Sequence, residues 1–142
     1  IKPMFQDDYF AYATALQQLA AKDLNFAVFA SLKVRRGAVV NKQVPSVPKD
    51  LNTLAMGYNT LGCPSAVIFK NVGMEFNEKL VWLMDCEFYA RYIKAAGTPT
   101  IYTQVGVCVE TWPGSVTNTL ATQEVRSAEI KIVKELLEGL DV

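Results

Sequence analysis

Strand-like and helix-like runs follow one another along this chain, and that succession confines it more sharply than any single motif. "NFAVFASLKV", residues 25 to 34, alternates and is rich in β-branched and aromatic side chains, as a strand requires. "SAVIFK" reads as a strand of the buried kind, set off by the turn signals Gly62 and Pro64. Residues 74 to 97 then change period. Leu80, Leu83, Met84, Phe88, Tyr92 and Ile93 recur at spacings that give a helical apolar face over the second half, stopped by Gly97. Residues 98 to 112 read as strands, Pro113 and Gly114 as a turn, and residues 118 to 138 as a closing helix with Val125, Ile132, Val133, Leu136 and Leu137 as its core stripe. The expected fold class is α/β, a layered sheet with helices, in a single domain over residues 1 to 142.

Earlier in the chain, residues 1 to 5 read as a short apolar strand whose exit carries Asp7 and Asp8, followed by a helical stretch with Leu16 and Leu19. Residues 35 to 50, with a Gly, two Pro and mixed charge, read as a loop or β-excursion on the surface. Arg35 and Arg36 there are expected to be a solvated surface pair. Residues 51 to 58 read as a short helix.

Composition removes whole classes of function. Lys plus Arg and Asp plus Glu are equal at 14, so no basic field recruits nucleic acid. No apolar run approaches the roughly 18 to 20 residues that cross a bilayer, and the expectation is a cytoplasmic protein without a transmembrane segment. Cys63, Cys86 and Cys108 form no C-x-x-C pair and are expected to be buried thiols. Histidine is absent, which excludes Ser/His/Asp and Cys/His catalysis and leaves acid–base work to carboxylates, Lys, Tyr or Cys.

The carboxylates therefore carry the chemical question. One Asp at the exit of residues 1 to 5 is enough to cap the following helix, whereas two adjacent acids repel unless a cation or a proton sits between them. A hard divalent ion, Mg2+ or Mn2+, suits such oxygens and typically arrives on a phosphate-bearing ligand. Asp85 and Glu87 fall in the first turn of the expected helix, where acids meet the positive end of its dipole, and Glu87 is four residues from Arg91. As a plain structural alternative, Asp7 and Asp8 cap a helix and Asp85 and Glu87 simply complement another.

Four segments in order, "IKPMFQDDYF", "GCPSAVIFKN", "FNEKLVWLMDCEFYARYIKAAG" and "PGSVTN", resemble the bacterial glycosyltransferase family two. These are nucleotide-sugar-dependent enzymes of the GT-A fold, many of them in polysaccharide biosynthesis, and the resemblance covers nearly the whole chain. It implies that Gln6-Asp7-Asp8 corresponds to the family's D-x-D segment, with Asp7 holding a Mn2+ or Mg2+ ion and Asp8 assisting. It implies that Asp85 is the general base. Pro64, Ser65, Glu87, Arg91 and Trp112 follow as substrate-binding positions. Phe5 stands where many members have an acid, Met84 replaces the usual Glu before the catalytic Asp, and Thr111 and Trp112 occupy a region where many carry a His.

The implied partners are a nucleotide-sugar donor and a glycan, lipid-linked or protein acceptor, with homo-oligomerisation open. The family's nucleotide-binding βαβ region is not among these residues, so the resemblance makes the chain the C-terminal portion of a catalytic domain lacking that region. A second reading is a non-catalytic α/β carbohydrate-binding or interaction module, with Trp82, Trp112, Tyr58 and Tyr102 as stacking aromatics. A third, a nucleotidyl or phosphoryl enzyme, lacks its Gly-rich phosphate loop.

Overall fold

The computed structural model describes residues 2–5, 7–20 and 25–140. Their Cα packing falls into two compact units: the described parts of Ile1–Val47, Leu61–Val72 and Thr98–Trp112, and those of Pro48–Thr60, Gly73–Gly97 and Pro113–Val142.

The first unit is a five-stranded mixed sheet built on β2, Phe26–Arg35, whose first six residues are all buried. β5, Thr100–Glu110, runs parallel along one edge of β2, with register shifts on either side of Ala30. On the other edge β4, Val67–Phe69, pairs antiparallel with Phe26–Val28, and β3, Ala38–Gln43, pairs antiparallel with Ser31–Arg35. Successive residues of this start are buried, so both faces of the strand are covered there, which accounts for its apolar run over residues 26–30. On one face Ala27 and Phe29 are buried with Ile68 and Tyr102 packed against them, and the Phe29 and Tyr102 rings stack at 5.0 Å. The β2–β3 connection is a two-residue turn in which Arg36 and Gly37 have φ of 50° and 78°, the double positive φ that matches the twist of a hairpin.

Beyond β5 lies a two-residue strand β1, Tyr9–Phe10, antiparallel to Cys108 and Val107, and α1 follows at Ala15–Ala20. The acids thus precede a strand; the expected strand over residues 1 to 5 is absent from residues 2–5. Pro3 has no N–H to give a ladder. The Phe5 N–H and the Lys2 ammonium donate instead to Ser65, and the Phe5 carbonyl accepts the Asp8 N–H at 3.2 Å. Ile1 and Gln6, which belong to the expected strand and acid segment, lie outside the described residues.

The second unit is helical. α2, Leu51–Ala55, is capped by the Asp50 carboxylate, which accepts the Thr53 N–H at 2.9 Å. α3, Met84–Ala96, buries Cys86, Phe88, Tyr89, Ala90 and Tyr92 and ends at Gly97, φ 88°. Phe76 stacks on Phe88 at 4.4 Å. The closing helix is split into α4, Val116–Thr119, and α5, Gln123–Gly139, because Thr122 takes up the N-cap role and accepts the Val125 N–H. Its buried line is Glu129, Val133 and Leu137; Ile132 and Leu136, expected in the core stripe, are 37% and 41% exposed. Val133 and Leu137 of the expected stripe are thus in the core, Ile132 and Leu136 are not, and the buried line includes a charge. No helix among the described residues is long and apolar enough to cross a membrane.

Candidate functional site

Two groups of side chains stand out, one in each unit. In the first, Lys2, Phe5 and Asp8 converge on Ser65, which sits fully buried in a short 3-10 turn, Pro64–Ala66, leading into β4. The Ser65 hydroxyl donates to Asp8 Oδ2 at 2.5 Å and accepts the Phe5 N–H at 2.8 Å. Lys2 Nζ donates to the Ser65 and Pro3 carbonyls. Burial raises the Asp8 carboxyl above the ordinary carboxylate range and the charge of Asp7 adds to this, against the Ser65 hydroxyl, the Glu110 backbone and the Lys2 charge. Burial likewise pushes Lys2 down to about 8, with Cys63 and Asp8 acting in the other direction. It pushes the Cys63 thiol up to about 11.

Asp7 differs from its neighbour. Its side chain is exposed and its backbone has φ 69°, a left-handed conformation that is uncommon for a residue with a side chain. Asp7, the first acid of the pair, thus presents its carboxylate to solvent while Ser65 holds that of Asp8. Asp7 and Asp8 are the carboxylates here that could meet a hard cation. Among the described residues no group of three or more Asp, Glu, Cys or His side chains is placed to hold a metal by itself.

The second group surrounds the start of α3. Asp85 is partly buried, its Oδ1 accepts the Cys86 N–H at 2.7 Å, and its Oδ2 accepts the Asn59 side-chain amide at 2.9 Å. Desolvation holds this carboxyl above the usual range despite those hydrogen bonds. A carboxylate so placed is a stronger base than one in water, and it is oriented through both oxygens. Burial and the Asp85 charge raise the Cys86 thiol as well, so Cys86 stays protonated beside it.

Two residues further on, Glu87 is buried and forms a fork with Arg91: Nε to Oε1 at 2.5 Å and Nη2 to Oε2 at 2.9 Å. Arg91 Nη2 also donates to the Glu75 carbonyl at 2.7 Å, and its guanidinium stands 5.7 Å from the Phe88 ring centre. Both residues assigned to substrate by the resemblance thus spend their charged groups on each other and on the chain. Pro64 and Ser65 are buried in the first unit, while Trp112, just after β5, is 50% exposed.

Three participants were not singled out in the sequence: Lys2, Asn59 and Glu129. Lys2 and Asn59 carry no local signal, since each reaches a residue 26 or more positions away. Glu129 does carry one, a charge four residues before Val133 and eight before Leu137 on the buried line of α5. Its Oε1 accepts the Val81 N–H at 2.7 Å and its Oε2 accepts those of Trp82 at 2.9 Å and Leu83 at 2.8 Å. No protein-family model, curated protein or solved structure matches the chain.

Proposed function

We propose that this chain belongs to an inverting glycosyltransferase of the GT-A type, with Asp85 as general base. The observation that carries the reading is Asp85 itself, a desolvated carboxylate held through both oxygens at the start of α3 and raised above the ordinary range. In the reaction the acceptor hydroxyl passes its proton to Asp85 as its oxygen attacks the anomeric carbon. The bond from that carbon to the diphosphate oxygen breaks, the nucleoside diphosphate leaves with the electron pair, and the configuration inverts.

Asp7 and Asp8 are the residues that would hold a Mg2+ or Mn2+ ion. Such an ion supplies charge neutralisation for the diphosphate leaving group. Ser65 keeps Asp8 in a fixed rotamer, and the exposed Asp7 carboxylate remains available to a cation from solvent. On this reading Glu87 and Arg91 contribute by fixing the first turns of α3, and the acceptor is a glycan, lipid-linked or protein hydroxyl.

A second reading is favoured by one observation: Tyr58 and Trp112 are 66% and 50% exposed, so each offers a ring for sugar stacking. A carbohydrate-binding module would use them without turnover. Trp82 and Tyr102 are less suited, since Trp82 is covered by Arg126 at 4.9 Å and Tyr102 is stacked on Phe29.

Calorimetric titration separates the two. Binding of members of a nucleotide-sugar panel with Mn2+ present, lost on chelation and in Asp7→Asn, supports the transferase. Binding of free oligosaccharides that is indifferent to chelation and lost in Trp112→Ala or Tyr58→Ala supports the module.

A further inference from the structure

Leu83, the residue before α3, offers no side-chain cap, and the three N–H groups leading into the helix all point to one acceptor, the carboxylate of Glu129 on α5. Such charge-assisted hydrogen bonds, made in a buried place, fix the backbone on both sides of them. The same segment carries Trp82. Its ring lies directly over Gly57, so close that a Cβ added there would stand 2.4 Å from the ring edge, and Gly57 has φ 87°. The Arg126 guanidinium, three residues before Glu129, is 4.9 Å from the same ring. Gly57 in turn accepts the Asn59 N–H at 3.1 Å, and the Asn59 side chain donates to Asp85.

We propose that Glu129 is a positioning residue for Asp85: by gathering the amides of Val81 to Leu83 it sets both the start of α3 and, through Trp82 and Gly57, the turn from which Asn59 reaches the base. The role presupposes Asp85 as the general base proposed above. Two paths lead from the segment that Glu129 holds to that carboxylate. One runs along the backbone from Leu83 to Asp85, and the other runs through the tryptophan ring. Among the described residues, the titratable side chain that acts on Asp85 along these paths is that of Cys86, which stays protonated.

Carboxyl 13C NMR of the protein follows Asp85 directly, without a donor or an acceptor. Glu129→Gln is close to isosteric but faces three N–H groups with one oxygen. The amides of residues 81 to 83 are expected to exchange about tenfold faster or more. The Asp85 midpoint is expected to move further up, as in Asn59→Leu, because the Asn59 hydrogen bond that favours the ionised form is weakened. An Asp85 midpoint in Glu129→Gln that is unmoved or lowered overturns the proposal and leaves Glu129 a purely structural cap. Where Glu129→Gln does not fold, Trp82→Leu cuts the second path with Glu129 intact. It is expected to raise the midpoint too, and an unmoved midpoint there overturns the proposal equally. Failure of the base assignment shows elsewhere, as sugar transfer that survives Asp85→Asn while these titrations come out as expected.

Discussion

Glu87 would be a costly residue to bury alone. Its carboxylate is tolerated on the inner face of α3 because Arg91, one turn on, meets both oxygens and keeps its own outer edge on the Glu75 carbonyl. Removing one partner of such a pair leaves an uncompensated charge, whereas removing both leaves a small polar or apolar contact. Arg91→Met is therefore expected to destabilise the protein by ~3 kcal/mol, and Glu87→Gln combined with Arg91→Met by clearly less than the sum of the single changes. Urea denaturation of the three variants measures this coupling. Additive losses would mean that the pair is not the unit that stabilises α3. The i, i+4 spacing of the two residues was legible in the sequence, but the burial of Glu87 that turns an ordinary helix-surface pair into a demanding one was not, since burial is set by tertiary packing.

At the scale of elements, glycines show how differently two similar turns are constrained. Gly37 and Gly57 both have positive φ, 78° and 87°, yet a Cβ at Gly37 would meet nothing within 4 Å while one at Gly57 would strike the Trp82 ring. Gly37→Ala is expected to cost about 1 kcal/mol, the backbone penalty alone. Gly57→Ala is expected to cost about 2 to 4 kcal/mol, because the ring must also move. Thermal denaturation of the two variants checks the order, and equal losses would mean that Trp82 is not pinned. Sequence periodicity located β2, β4, α3 and the turn at Gly97 because each follows from local alternation or local capping. It misplaced the strand before the acids, since Pro3 and the pull of Ser65 act across about 60 residues. The buried line of α5 takes in Glu129 for a related reason: its carboxylate is satisfied by the amides of residues 81 to 83, far away in sequence.

Across the whole molecule, composition and alternation pointed to an α/β protein, and the structure is one, with a five-stranded mixed sheet and helices. The strand order was not legible, because the parallel pairing of β2 with β5 joins segments some seventy residues apart and depends on contacts that local propensity does not encode. The candidate acids were legible as residue types, but their environments were not. Ser65 on Asp8 and the Asn59 amide on Asp85 both arise from tertiary packing. The proposed base is tested most directly by sugar transfer from the donor that binds with Mn2+, measured as nucleoside diphosphate release in the full-length protein and in Asp85→Asn. A fall of about a hundredfold or more, with donor affinity kept, is the result expected for a lost general base. Transfer by Asp85→Asn at the unmutated rate would contradict it.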